Sequence, residues 1–275
     1  MLWSLIFAAT AFLALGALRQ AWPCNPGQKR WVSRDMGVDV LWWLVSLALY
    51  GDLAVIVTRA LLQAFGGVDG ERLFQAIRAG HGPISHLPVA AQAGLVIFLV
   101  DVIQYWLHRA FHTRWLWPFH AIHHSPRELD WTATWRIHPV NFVFYETVAA
   151  VATMLMGCSP LALVIVVPFN FFSAAFVHAN LNWTFGPFRY WLASPVFHRW
   201  HHASDPAIHD KNFAPTFPFL DLLFGTFHMP QGQLPDAYGA EGVPEDLAGQ
   251  LAHPFVAIGR MLGQGRSRRS PEAAA

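Results

Sequence analysis

Eight histidines fall in three five-residue windows, and their type and spacing point to metal chemistry. The windows are His108-Arg109-Ala110-Phe111-His112, His120-Ala121-Ile122-His123-His124 and His198-Arg199-Trp200-His201-His202. Fifteen histidines spread evenly over 275 residues would leave fewer than one in any fifteen positions, yet these fifteen hold eight. Neutral imidazole is the commonest metal-binding side chain and suits iron, zinc, copper and nickel. Residues three and four apart share one face of a helix. His108 and His112 obey that rule. His120 with His123 and His124, and His198 with His201 and His202, each fall within about 100° of arc at 3.6 residues per turn. Two HxxHH boxes and one HxxxH box supply more nitrogens than a single tetrahedral or octahedral ion takes, so two metals are expected. A histidine-rich loop that collects stray metal is polar and compositionally biased, whereas these boxes sit in aromatic, apolar sequence.

The elements that must position the boxes are membrane helices. The chain is 54% hydrophobic and 13% charged, with positive mean hydropathy, too apolar for an ordinary soluble domain. Its net charge of +1 gives no reason to expect a nucleic-acid partner. The two cysteines, Cys24 and Cys158, suggest neither a disulfide framework nor a thiolate metal site. Several apolar stretches approach the roughly 20 residues of a bilayer crossing. Leu2 to Leu18 is uncharged, Val38 to Phe65 is interrupted only by Asp39, Asp52 and Arg59, and Val89 to Leu107 only by Asp101. Val140 to Val177 carries only Glu146, and Gly157-Cys158-Ser159-Pro160 marks the turn of a helical hairpin within it. The first stretch lacks the basic flank and cleavage site of a secretory signal, so a retained anchor is expected.

Charge bias orients these segments. Arg19, Lys29, Arg30 and Arg34 follow the first stretch, Arg72 and Arg78 follow the second, and Arg260, Arg266, Arg268 and Arg269 lie near the end. Positive-inside reasoning puts the first loop and the tail in the cytoplasm and the N-terminus outside. Tracing forward, the third stretch returns to the cytoplasm just before His108, and the hairpin delivers His178 to the same side. We expect one membrane-embedded domain over residues 1–262, with a histidine-box region at 101–228 and a disordered tail at 263–275, rich in Gly, Ser, Arg and Ala.

From Asp101 to His228 the residues resemble the fatty acid hydroxylase superfamily, also called the sterol desaturase family. The resemblance rests on Asp101, the three boxes, Arg136-Ile137-His138-Pro139 and His178-Ala179-Asn180. It also rests on Ser194-Pro195 before the third box, Asp210-Lys211-Asn212-Phe213, and Asp221 through Phe224-Gly225-Thr226. It implies an all-α integral membrane enzyme with about four transmembrane helices and a cytosolic helical cap holding a histidine-rich dimetal site. It further implies two iron ions, O2 as co-substrate, and hydroxylation or desaturation of a lipid such as a sterol or fatty acyl chain. Carried over position by position, the implied ligands are His108, His112, His120, His123, His124, His178, His198, His201 and His202.

Asp101, His138, Asn180 and His209 are expected around those ligands. Asp101 is a candidate acceptor for a ligand imidazole, with helix capping or arginine pairing as the competing role, and Asn180 is a candidate holder of a metal-bound water. His81, His86, His228 and His253 are expected to be ordinary surface or loop histidines. The chain has no haem-attachment motif, GxGxxG or flavin signature, so electrons are expected from a ferredoxin or a cytochrome b5-like protein and its reductase. With only two lysines among many Ala, Arg and Trp, the composition suggests a bacterial inner membrane. Two other classes stay open. A membrane di-zinc hydrolase uses the same imidazoles, but catalytic zinc keeps few protein ligands. A metal transport or storage protein would carry histidines inside its apolar runs. Hydroxylation is favoured over desaturation, although the outcome turns on sub-ångström substrate placement.

Overall fold

A computed structural model describes residues 2–25, 27, 31–66, 75, 80 and 82–267. In chain order its longer helices are α1 (Leu2–Ala21), α2 (Met36–Val45), a π-helical turn (Ser46–Tyr50) and α3 (Gly51–Gly66). They continue as α4 (Val89–Phe111), the short α5 (Trp117–His120), α6 (Pro139–Met156) and α7 (Pro160–His178). Last come α8 (Pro195–His201), α9 (Phe219–Leu223) and α10 (Leu247–Ser267). The described residues form no strand; one isolated bridge pairs Ala203 with Tyr238. The all-α expectation therefore holds.

Among the described residues, four helices are long and apolar enough to cross a membrane: Met36–Leu61, Val89–Phe111, Pro139–Met156 and Pro160–His178. Their outward side chains, such as Ile56 at 62% and Val164 at 65% exposure, are the bare apolar surface a bilayer covers. The stretch beginning at Leu2 does form a helix, but it lies outside those four. Its second half packs Leu15 against Trp131, Ala175, Ala179 and Leu181.

Local signals fix the helix ends. Pro139 and Pro160 occupy first turns, where their missing N–H costs nothing. His138 Nδ1 accepts from Val140 N at 3.2 Å, and Ser159 Oγ accepts from Ala162 N at 3.3 Å. Gly157 closes α6 in the left-handed region at φ 63°. The expected turn at 157–160 is therefore where the hairpin reverses. Beside it, a Cβ on Gly82 would stand 2.6 Å from Gly157 Cα, so the 82–88 loop packs there only as glycine. This end of the bundle is remote from every box.

At the other end, α1 arrives and α2 leaves, α4 arrives and α6 leaves, and α7 arrives. Two buried ion pairs lock that end. Arg19 bonds Asp130, and Arg136, 2% exposed, bonds Asp39, 1% exposed, at 2.6 Å. Arg136 Nη1 also reaches Ser125 Oγ at 3.1 Å, directly after the second box. Gln250 on α10 bonds Ser125 Oγ at 3.4 Å and Trp42 Nε1 at 2.6 Å. Arg19, counted above among the charges that orient the chain, is also a buried structural cation.

Helix α10 runs past residue 263 to Ser267, into the first residues of the expected tail. Residues 268–275, Lys29, Arg30, Arg72, Arg78 and His81 lie outside the described residues. Cys24 and Cys158 are both free and buried.

Removing one partner of the Asp39–Arg136 pair strands a buried charge. Asp39→Ala is expected to cost about 3–5 kcal/mol, read as a lowered thermal midpoint in detergent. The double variant Asp39→Leu/Arg136→Met, with neither charge, is expected to recover most of that loss. If the single variant melts like the unsubstituted protein, the pair does not hold this end together.

Candidate metal centre

All nine histidines named above converge, and they sort into two groups. His108, His112, His120, His124 and His201 bring ring nitrogens within 4.8 Å of one another, and so do His123, His178, His198 and His202. The second box does not lie on one regular helix, since α5 ends at His120 and the chain continues in turns closed by His123 N to His120 O at 2.9 Å. The third box occupies α8 and its C-cap, opened by Ser194 Oγ accepting from Phe197 N at 3.2 Å.

The boxes divide by position. In the second box, the i and i+4 residues His120 and His124 join the first group, while the i+3 residue His123 crosses to the second. In the third box the roles reverse: His198 and His202 join the second group and His201 crosses to the first. His108 and His112 complete the first group, and His178 at the end of α7 completes the second. The groups touch where the His124 and His202 rings stack at 4.4 Å.

Hydrogen bonds on the far nitrogens decide what the near nitrogens can do. His108 Nδ1 donates to Phe213 O at 2.8 Å, His201 Nδ1 to Lys211 O at 2.7 Å and His178 Nδ1 to Ala174 O at 2.7 Å. His120 Nδ1 meets Asn141 Oδ1 at 2.8 Å, and His112 Nδ1 meets Asp210 Oδ1 at 3.0 Å. A neutral ring that donates from Nδ1 carries a bare lone pair on Nε2.

The Nε2 atoms of each group crowd together, and those of His108 and His120 meet lone pair to lone pair. His108 and His120 Nε2 are 3.0 Å apart, and His124 Nε2 lies 3.2 Å from His120 Nε2. His178 Nε2 lies 3.1 Å from His123 Nε2 and 3.0 Å from His198 Nε2, and His202 Nε2 lies 3.1 Å from His198 Nε2. The Nε2 atoms of His112 and His201 are buried without any hydrogen-bond partner. Opposed lone pairs repel unless a cation lies between them. Nitrogens bound about 2.1 Å from one ion at right angles stand about 3.0 Å apart, so the donor set fits a metal in each group.

Burial keeps these rings neutral. Desolvation, followed by the neighbouring imidazoles, holds His120, His124, His201 and His202 well below the ordinary histidine value. His123 and His198 are lowered in the same way. His112 is lowered by burial against the pull of Asp210, whose carboxyl is itself held down by its bond to His112.

The four surrounding candidates are placed differently from expectation. Asp101 touches no imidazole; its carboxylate accepts Thr216 N at 2.7 Å and Phe217 N at 3.0 Å. Its link to the histidines runs through the 211–217 segment, whose Phe213 and Lys211 carbonyls hold His108 and His201. His138 caps α6 and reaches Leu251 O at 3.3 Å, away from the boxes. Asn180 Oδ1 accepts from Asn25 N at 2.9 Å, and its Nδ2 donates to Asn25 O at 3.4 Å. His209 is exposed beside Asp210.

Asp210, named above only within the Asp210-Lys211-Asn212-Phe213 element, is the carboxylate that meets a box histidine. Asn141 was also missed, although a lone amide in an apolar span is the usual mark of function there. Arg199, inside the third box, turns away from the histidines. It is fully buried and donates to Leu129 O at 2.9 Å and Asn25 Oδ1 at 2.6 Å. Tyr145, one turn after Asn141, lies with its ring 6.4 Å from His108 and its buried hydroxyl unpartnered.

Partners of metal-binding histidines are worth about 10–100-fold in metal affinity. Asp210→Asn is expected to weaken metal uptake by a factor in that range at the first group alone, measured by titration of the purified protein. His201→Ala is expected to lower metal content while leaving membrane insertion intact, and His253→Ala on α10 to change neither. Full metal content in the His201 variant would remove it from the donor set.

Comparison with known proteins agrees with this geometry. Residues 93–226 match the family model for fatty acid hydroxylase. Ornithine lipid hydroxylase OlsE of Rhizobium tropici is 30% identical over 175 residues, 63% of this chain and 53% of that protein. Alkylglycerol monooxygenase of Xenopus tropicalis is 31% identical over 133 residues, 46% of this chain and 28% of the relative. The very-long-chain aldehyde decarbonylase GL1-11 of Oryza sativa subsp. indica is 28% identical over 150 residues, 52% of this chain and 55% of the relative. The matched region thus spans about half, or less, of these relatives. No solved structure matches the chain. The chain carries a fatty acid hydroxylase domain over residues 93–226.

Proposed function

We propose that this chain is a membrane-bound di-iron oxygenase that uses O2 to hydroxylate a membrane lipid. The observation that carries the reading is the convergence of two sets of buried, neutral imidazoles whose ring nitrogens crowd within 4.8 Å of one another. Two iron ions, when bound, supply the electrons that activate O2 and the oxidising power to attack an unactivated C–H bond. Nine histidines are more than hydrolytic zinc uses, because such zinc keeps a position open for water. The grouping at one end of the helices argues against a transport path, which would string ligands along the spans.

The chain's own residues set the conditions for that chemistry. Carbonyls of Ala174, Lys211 and Phe213, with Asn141 and Asp210, fix the imidazole tautomers and aim each Nε2. Phe111, Phe213 and Trp117 pack around the rings and exclude water. Tyr145 offers an unpartnered hydroxyl on the membrane side of His108 and His120, where a lipid tail from the bilayer would arrive. Electrons come from an external donor, a ferredoxin or a cytochrome b5-like protein with its reductase. We place the site and the C-terminus on the cytoplasmic face of a bacterial inner membrane, the N-terminus outside, and residues 1–262 in one domain. Among lipids, an amino-acid lipid is the first to test, since the bacterial relative is named for ornithine lipid.

The test is lipid analysis of bacteria expressing the chain under isotopically heavy O2. The expected product is a lipid that gains one heavy oxygen atom and is absent when His202→Ala replaces the unsubstituted chain. A lipid pool unchanged by the chain, or a product whose new oxygen comes from water, would refute the oxygenase reading.

A further inference from the structure

A non-helical segment of the cap lies against the side of α4 well below its histidines. Asp101 precedes the end of α4 at Phe111 by about ten residues, roughly 15 Å along the axis. There it accepts the backbone N–H groups of Thr216 and Phe217. Asp221 does the same farther along, accepting Phe213 N at 2.7 Å, Ala214 N at 2.9 Å and Thr226 Oγ1 at 2.6 Å. Asp101 is 2% exposed and Asp221 is fully buried. Irregular backbone at membrane depth requires partners from the protein, because lipid offers none. These two carboxylates provide them.

The outer side of this segment is apolar and bare. From Asn212 to Met229 the only Asp, Glu, Lys or Arg is the buried Asp221. Leu222 is 47%, Leu223 69% and Phe224 36% exposed. The neighbouring turn adds Phe188 at 68%, Trp191 at 65% and Leu192 at 42%. Two aromatic rows join this surface to the lipid-facing sides of the spans. Trp191 meets Phe219 at 5.8 Å, and Phe219 stacks on Phe98 of α4 at 6.3 Å. Phe185 stacks on Phe176 at 5.9 Å, and Phe176 on Phe172 of α7 at 5.7 Å. Phe98 and Phe172 are themselves 43% and 54% exposed.

We propose that this edge of the cap, residues 185–192 with Phe219–Phe224, is immersed in the bilayer, and that its partner is the acyl layer of membrane lipid. The surface continues the lipid-facing sides of α4 and α7 without a break. Its one cation, Arg189, lies 4.8 Å over the Tyr190 ring and donates to the Tyr190 hydroxyl at 2.7 Å. That is the arrangement of a basic side chain that reaches toward headgroups from an apolar base. The cap is therefore seated partly within the membrane, and this holds whether or not metal is bound.

The test uses the full chain in vesicles of phosphatidylethanolamine and phosphatidylglycerol, with a nitroxide label on Leu223→Cys, on Phe188→Cys and on the exposed Asp205→Cys. Cys24 and Cys158 are 1% and 6% exposed, so the unsubstituted protein serves as the blank. At 223 and 188, dissolved oxygen is expected to relax the label several-fold more than a water-soluble nickel chelate, with the reverse at 205. Chelate access at 223 and 188 equal to that at 205 would overturn the proposal. Exclusion of both reagents would also overturn it, since that is the mark of a covering protein or second copy. Labels at two separate positions keep the test decisive if one variant fails to fold.

Discussion

Nine uncharged nitrogens aimed at one another, in a place water does not reach, are the constraint on which this structure depends. Opposed imidazole lone pairs about 3 Å apart gain nothing from each other, and burial closes the escape of protonation. A cation in each group would relieve that repulsion and would link metal binding to the folding of this end of the molecule. The far nitrogens are equally constrained. Each bonded Nδ1 fixes one tautomer, and those partners come from α6, α7 and the 210–213 segment, so distant parts of the chain share one task.

The remaining polar network serves the same end. Arg199 ties the third box to Leu129 and Asn25, and Arg136 ties Ser125 to Asp35 and Asp39 near the start of α2. Asn212, in the left-handed region at φ 57°, bonds Phe197 O and His228 O and holds the segment that presents Lys211 O and Phe213 O to the rings. Such buried charges and amides stabilise little in themselves. They fix register between helices that otherwise meet through interchangeable apolar side chains.

Much of this was legible in the sequence. Local spacing announced the boxes, apolar run length announced the four spans, and Gly157 through Pro160 announced the hairpin. His178 was placed with the boxes by counting membrane crossings, which is topology read from charge and length. The assignment of each histidine to a group was not legible, because i, i+3 and i+4 residues look equivalent along a helix. Only the packing of the second box against the third sends His123 and His201 across. Asp101 was noticed as a costly charge, but its backbone partners lie more than a hundred residues away and leave no local signal. Asp210 was passed over because an exposed acidic turn residue looks like any other. The pairing of Arg19 with Asp130 left no local signal either, since its partner is 111 residues away.

The central claim is that two groups of buried histidines hold two iron ions. The most direct measurement is metal content per chain with Mössbauer spectra, on detergent-purified protein expressed with ample iron. The account predicts about two irons per chain in one coupled pair. Protein that is folded, inserted in the membrane and free of stoichiometric metal would contradict it.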